Sequence, residues 1–301
     1  MQTNLTITSW QANYEGFELK WVWYPSKNLD AKALQIFMRD VDMVNQAYGT
    51  LHYGYFDPNN SEQAKMDFLG RTIWCIIYEG REPIGFIYNY DLGLVKDQRV
   101  IHLGLVKINK NIGKDYIKVP YIGMALGNLI NFGPHFATNV SHLPIIVDMF
   151  TWLCHDVYPG FETQDSAIRN EYQPVLNQLI KNYLVSVLKY NEESVCRRTF
   201  TVRGSLANPG EGFNTDWRTI PKSNTFLCNV FVKEWLTIKA DSSGKMLIQD
   251  DLIQIGKVDY RAIGEKRIHP VLSQLKFEQP KFQNRLAEIK NIFWPSTKKA
   301  S

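Results

Sequence analysis

Apolar and polar positions along the first hundred residues predict a sheet with helices laid on it. "FELKWVWY" reads as a short strand, and "SKNLDAKALQIFMRDVDMVNQAY" as a helical region after it. "TIWCIIY" and "PIGFIYNY", joined by "EGRE" with Gly80 in the turn, predict a β-hairpin. "RVIHLGLVKI" is apolar almost throughout, the pattern of a central strand buried on both faces. The loop "NKNIGKDYIK" leads into "VPYIGMALGNLINFG", where Ile122, Leu126, Leu129 and Ile130 recur at helical spacing. Pro120 suits a first helical position, and Gly133-Pro134 stops the helix. "HFATNV" predicts a short strand. Asn139 or Ser141 is placed to cap a helix with the stripe Ile146, Met149, Phe150, Leu153 and Val157, ended by "VYPGF".

Further on, Val175, Leu176, Leu179, Ile180, Tyr183, Leu184 and Val187 predict an amphipathic helix opened by Pro174. "RRTFTVRG" and "NTFLCNVFVKEWLTI" read as strands, and "KFQNRLAEIKNIFW" as a last helix. Between the strands, "SLANPGEGFNTDWRTIPKSN" is a loop of the length that is often functional or mobile. The element order gives a mixed α/β fold with both antiparallel and parallel pairing. No internal repeat is visible.

Composition narrows the function classes. The chain has 301 residues, 45% hydrophobic and 21% charged, enough for one large domain or two small ones with a full core. Its net charge of +4, on 34 basic and 30 acidic residues, is too mild for a nucleic-acid partner and compatible with an anionic small ligand. Cys75, Cys154, Cys196 and Cys228 are far apart and read as free thiols in a reducing cytoplasm. No signal peptide and no membrane span are expected. The histidines show no metal-ligand spacing, so no metal is expected. No Gly-x-x-x-x-Gly-Lys-Ser/Thr is present, which disfavours an NTPase. Ser141, His142 and Asp148 lack the elbow of a hydrolase nucleophile.

The small residues Gly123, Ala125 and Gly127 raise a specific question. A helix start carries unpaired N–H groups and partial positive charge, so small residues there leave room for a pyrophosphate, with Lys110, Lys114 and Lys118 adding charge. The same residues equally permit close packing of the helix on a sheet.

The stretch "HLGLVKINKNIGKDYIKVPYIGMALGNLI" resembles the GNAT superfamily of acyl-CoA N-acyltransferases. Gly123-Met124-Ala125 matches that family's Gly-x-Gly/Ala, and Leu129 and Ile130 its apolar pair. Leu105 and Val106 match the end of the splayed strand. The upstream hairpin and the downstream "HFATNVSHLPIIVDMFTWLCHDVYPGF" follow in the family's order, so the likeness covers about residues 15–165. The chain departs from the pattern at Pro120, which stands where the family has Arg or Gln; Lys118 would have to substitute.

The resemblance implies a GNAT-like mixed central sheet flanked by helices with an elaborated C-terminal part. The domain would span 1–240, with an extension packed on it over 241–301. It implies acetyl-CoA or another acyl-CoA as co-substrate and a small-molecule amine as acceptor, with direct attack in a ternary complex. Lys118, Tyr121, Ile122, Gly123, Met124 and Ala125 would meet the pyrophosphate, and Leu105 and Val106 the pantetheine arm. His102, on the central strand, would serve as base or water-holder, and Tyr158 as the acid that protonates the leaving thiolate. Asn139 would contact substrate or pantetheine. Each has a plainer reading: a hydrogen-bonded histidine at the core's edge, a tyrosine packed at a helix end, a helix cap. The aromatic run "AYGTLHYGYF" reads as core packing or as the lining of an acceptor pocket. A non-catalytic GNAT-shaped binding module is the alternative function. No membrane partner is expected, and a free sheet edge of this kind often pairs two copies.

Overall fold

A computed structural model describes residues 7–49, 51, 53–109, 118–162, 165–206, 215–260 and 276–277. The fold is α/β, a large mixed sheet flanked by helices. The chain divides into two compact units, one of Met1–Tyr90, Leu105–Pro134 and Asp259–Ser301, the other of Asp91–Gly104 and His135–Val258.

The first unit begins with β1 (Ser9–Tyr14) and β2 (Phe17–Trp23), antiparallel across Glu15-Gly16. Both turn residues have positive φ, 49° and 89°, the twist that suits a two-residue hairpin. Helix α1 (Pro25–Asn28) precedes α2 (Ala31–Ala47), which Asp30 caps by accepting the Ala33 N–H at 2.8 Å. Ser61 caps α3 (Glu62–Leu69) in the same way. The expected hairpin is β3 (Thr72–Glu79) and β4 (Glu82–Val95), with Gly80 at φ 62°. The expected central strand is β5 (Gln98–Ile108). In this unit the strand order is Lys276–Phe277, β1, β2, β3, β4 as far as Tyr90, and the end of β5 from Leu105.

Helix α4 (Lys118–Phe132) lies on the β1–β2 face, and the contact is made by tryptophans. Trp10 meets Trp21 and Trp23 edge-on, at 5.3 and 5.4 Å between centroids. The Trp21 indole N–H donates to the Pro120 carbonyl at 3.0 Å, and the Trp23 N–H to Asn128 Oδ1 at 2.9 Å. Asn128 is buried, so Asn128→Ala strands an indole donor away from water. It should cost about 1–3 kcal/mol of unfolding free energy in urea denaturation, while Asn131→Ala, part-buried, should cost less. Around Trp74, Phe37 of α2 and Tyr55, Phe56 and Phe86 form a second aromatic group. The run "AYGTLHYGYF" thus contributes core at Tyr55, with Phe56 half-buried beside it.

The second unit is built on the one parallel pair among the described strands. Val100–Leu103 of β5 runs in register with Phe136–Asn139 of β6 (His135–Ser141). Helix α5 (Pro144–Leu153) follows, then β7 (His155–Tyr158) and α6 (Ser166–Leu179), which continues into a π-helical turn, Ile180–Val185. The remaining elements are β8 (Val195–Cys196), β9 (Thr201–Val202), α7 (Phe226–Trp235), the β10 (Ile238–Ala240) and β11 (Met246–Ile248) pair, and β12 (Asp251–Val258). β12 is antiparallel to β6 and carries β7 and β9 on its other side.

Several expectations change here. "NTFLCNVFVKEWLTI" is helical rather than extended: Cys228, Phe231 and Val232 are buried at helical spacing and join Val147 of α5 in one cluster. α5 stops at Leu153, and Val157 and Tyr158 sit on a strand, where β12 supplies their backbone partners. Pro174 lies inside α6, which opens at the Asp165 cap instead. The cap of α5 is Leu143 with Pro144 next; Asn139 lies inside β6, and Ser141 Oγ accepts the Leu143 N–H at 3.1 Å. β12 belongs to a segment expected to form an extension. The helix expected over "KFQNRLAEIKNIFW" falls outside the described residues. Among those described, no helix is long and apolar enough to cross a membrane.

Candidate functional site

The residues expected to form one site divide between the units, and each set is described by itself. In the first unit, Leu105 and Val106 are half-buried at the end of β5. Next to them, Lys107 Nζ donates to Asn45 Oδ1 at 2.9 Å, and partial burial lowers the lysine's pKa. Lys110 and Lys114 lie outside the described residues.

In α4, Lys118 is half-buried, and Tyr121, Ile122, Met124 and Ala125 are buried. Burial also pushes the Tyr121 phenol well above its ordinary value. Among the described residues α4 opens with Lys118 and Val119, and Pro120 has no N–H to offer. Gly123, Met124 and Ala125 fall in the second turn, where backbone N–H groups belong to the helix's own ladder. The reason for glycine there is visible: a Cβ on Gly123 would come within 2.3 Å of the Trp21 ring, and one on Gly127 within 2.2 Å of Trp23. The small residues let α4 close on the tryptophans. Any anion held at this helix start would therefore meet Lys118 and Val119 rather than Gly123 and Ala125.

In the second unit, His102 is buried on β5. Its Nδ1 is 3.0 Å from Thr138 Oγ1, its cross-strand neighbour, and its ring lies against Tyr183, 4.2 Å between centroids. The π-helical turn places Tyr183 there. Burial lowers the His102 pKa to about 3, only partly opposed by the bond to Thr138. The ring is neutral at physiological pH and binds a proton poorly, the setting of a structural histidine.

Tyr158 is buried on β7 with its ring edge-on to Phe200 at 5.1 Å. Burial raises its pKa, and Arg169 pulls the other way, so the phenol keeps its proton at neutral pH. Asn139, also buried, turns its amide to Gln254 Oε1 at 3.4 Å, and Gln254 Nε2 reaches the Pro159 carbonyl at 3.4 Å.

One group at this end of the sheet was not singled out for acyl transfer. His142, just past β6, places Nδ1 2.9 Å from Asp251 Oδ1 at the start of β12. Nothing local in the sequence joins them, since 109 positions separate the two. Asp148, once grouped with Ser141 and His142, instead accepts hydroxyl bonds from Ser223 at 2.6 Å and Thr225 at 3.1 Å. Among the described residues, no three His, Cys, Asp or Glu side chains gather as a metal site. No protein-family model matches the chain and no curated protein sequence matches it, so the reading of this site rests on layout and geometry.

Proposed function

We propose that the protein is an acyl-CoA-dependent N-acyltransferase of GNAT-like architecture, transferring an acetyl or longer acyl group to an amine by direct attack. The observation that carries the reading is the strand arrangement. β1 and β2, the helices α1, α2 and α3 and the β3–β4 hairpin precede β5, and β5 connects through α4 to β6, its only parallel neighbour among the described strands. The register with β6 ends at Leu103 and Asn139, while β5 runs on to Ile108. Beyond that register β5 keeps β4 on one side, and the side that faced β6 could bond an amide-bearing ligand such as pantetheine. In this reading the start of α4, with Lys118, meets the pyrophosphate.

The expected result is a thermal shift of the full chain with an acyl-CoA ester. A ligand at about a hundred times its dissociation constant adds roughly 2.7 kcal/mol to the folded state. Lys118→Glu should reduce that shift. Absence of any shift across acetyl-, octanoyl- and palmitoyl-CoA would remove the proposal.

The packed Gly123, the Pro120 departure and the proton-poor His102 favour a second reading, a GNAT-shaped module that binds its ligand without turnover. Its mark would be a thermal shift with no thiol release against a broad amine panel.

A further inference from the structure

We propose that His142, oriented by Asp251, is the general base that takes the acceptor amine's proton; this rests on the acyl-transfer reading above.

Three observations converge on it. His142 directly follows β6, and so stands at the carboxyl end of the parallel pair, beyond Leu103 and Asn139 where the register ends. Ligands of α/β sheets bind outside the carboxyl ends of parallel strands. Second, Asp251 is nearly buried, 9% exposed at its side chain, and holds Nδ1 at 2.9 Å. A carboxylate can only accept, so the ring proton sits on Nδ1 and Nε2 presents its lone pair. Third, the His142 side chain is 17% exposed, and no other described residue engages Nε2. His102 lacks this combination: Thr138 and Tyr183 enclose it, and no carboxylate among the described residues orients it.

The step balances. The amine lone pair attacks the thioester carbonyl carbon, forming C–N while the carbonyl π pair moves to oxygen. His142 Nε2 takes the proton the nitrogen sheds. The oxyanion collapses, C–S breaks, and the bonding pair leaves on sulfur. The thiolate gains a proton from solvent, and the imidazolium returns its own to solvent. The products are an amide and free CoA. Asp251 does not touch the reacting atoms; it is a positioning residue that fixes the tautomer and steadies the imidazolium.

The test uses the full chain with acetyl-CoA and octanoyl-CoA against a panel of primary amines, read by thiol release. His142→Gln should lower kcat at least a hundredfold, the range of a lost general base, and leave the KM for acyl-CoA within about twofold. Added imidazole should restore part of the rate to His142→Ala, which a purely structural role would not allow. Should the histidine variants fail to fold, Asp251→Asn is the second probe. ¹⁵N-histidine spectra of the wild type should show an Nδ1-protonated tautomer that this variant loses, with a fall in kcat of tenfold or more. An active wild type with an equally active His142→Gln or Asp251→Asn overturns the base assignment and leaves acyl transfer standing. A wild type that turns over nothing overturns both.

Discussion

Gly123→Ala is expected to lower the unfolding free energy by roughly 1–3 kcal/mol, read as a lower urea midpoint at unchanged slope. The direction is the informative part. Glycine to alanine inside a helix ordinarily gains about 1 kcal/mol, because alanine loses less backbone freedom on folding. Here the new methyl would stand 2.3 Å from the Trp21 ring, far inside contact distance. Trp21 has little room to yield. It is wholly buried, its N–H is tied to the Pro120 carbonyl at 3.0 Å, and Trp10 abuts it edge-on. Either α4 lifts from β2 or the ring leaves its place, and both loosen a close-packed interface. A glycine lining an anion pocket would give the opposite pair of results: alanine would stabilise the helix and weaken acyl-CoA binding. A stabilised Gly123→Ala with lost CoA affinity would restore Gly123 to the ligand site. A destabilised one whose thermal shift with acyl-CoA persists assigns it to packing.

That glycine also shows what a sequence yields and what it withholds. The apolar runs of β3 and β4, and of β5 as far as Leu103, identified a sheet because burial on both faces leaves no alternation to misread. The helical stripe of α4 was equally plain. What Gly123 is small for depends on Trp21, a residue brought to the same helix from about a hundred positions upstream. α7 was misread because its apolar residues, rich in Phe and Val, carry strand propensity, and burial beside α5 decided otherwise. Tyr158 was visible as a candidate, but its strand needs β12, nearly a hundred positions on, to complete its hydrogen bonds. His142 was noticed beside Ser141 and Asp148; the carboxylate that orients it came from β12, and only the folded register could name Asp251.

Acidification is expected to cost the wild type about 2 kcal/mol more than His102→Asn between pH 7 and about pH 5. In the folded protein His102 binds a proton only near pH 3, whereas its ordinary value is 6.5. Between those values the unfolded chain holds more protons than the folded one. Unfolding is therefore favoured as pH falls through 6.5, and the penalty grows by about 1.4 kcal/mol per pH unit until the folded pKa is reached. Above 6.5 the ring is neutral in both states and contributes no slope. Carboxylates titrate in the same window, but they do so in both proteins, so the difference between wild type and variant isolates the histidine. Urea denaturation at the two pH values gives the comparison. Equal losses would mean that folded His102 accepts a proton near neutrality, and a base role for it would reopen. The expected excess means that its conjugate acid is far too strong for that role, because a base working near pH 7 needs a pKa near 7. His102 then serves the sheet: it bonds Thr138 across the parallel pair and supports Tyr183, leaving proton transfer to a ring that keeps an open nitrogen.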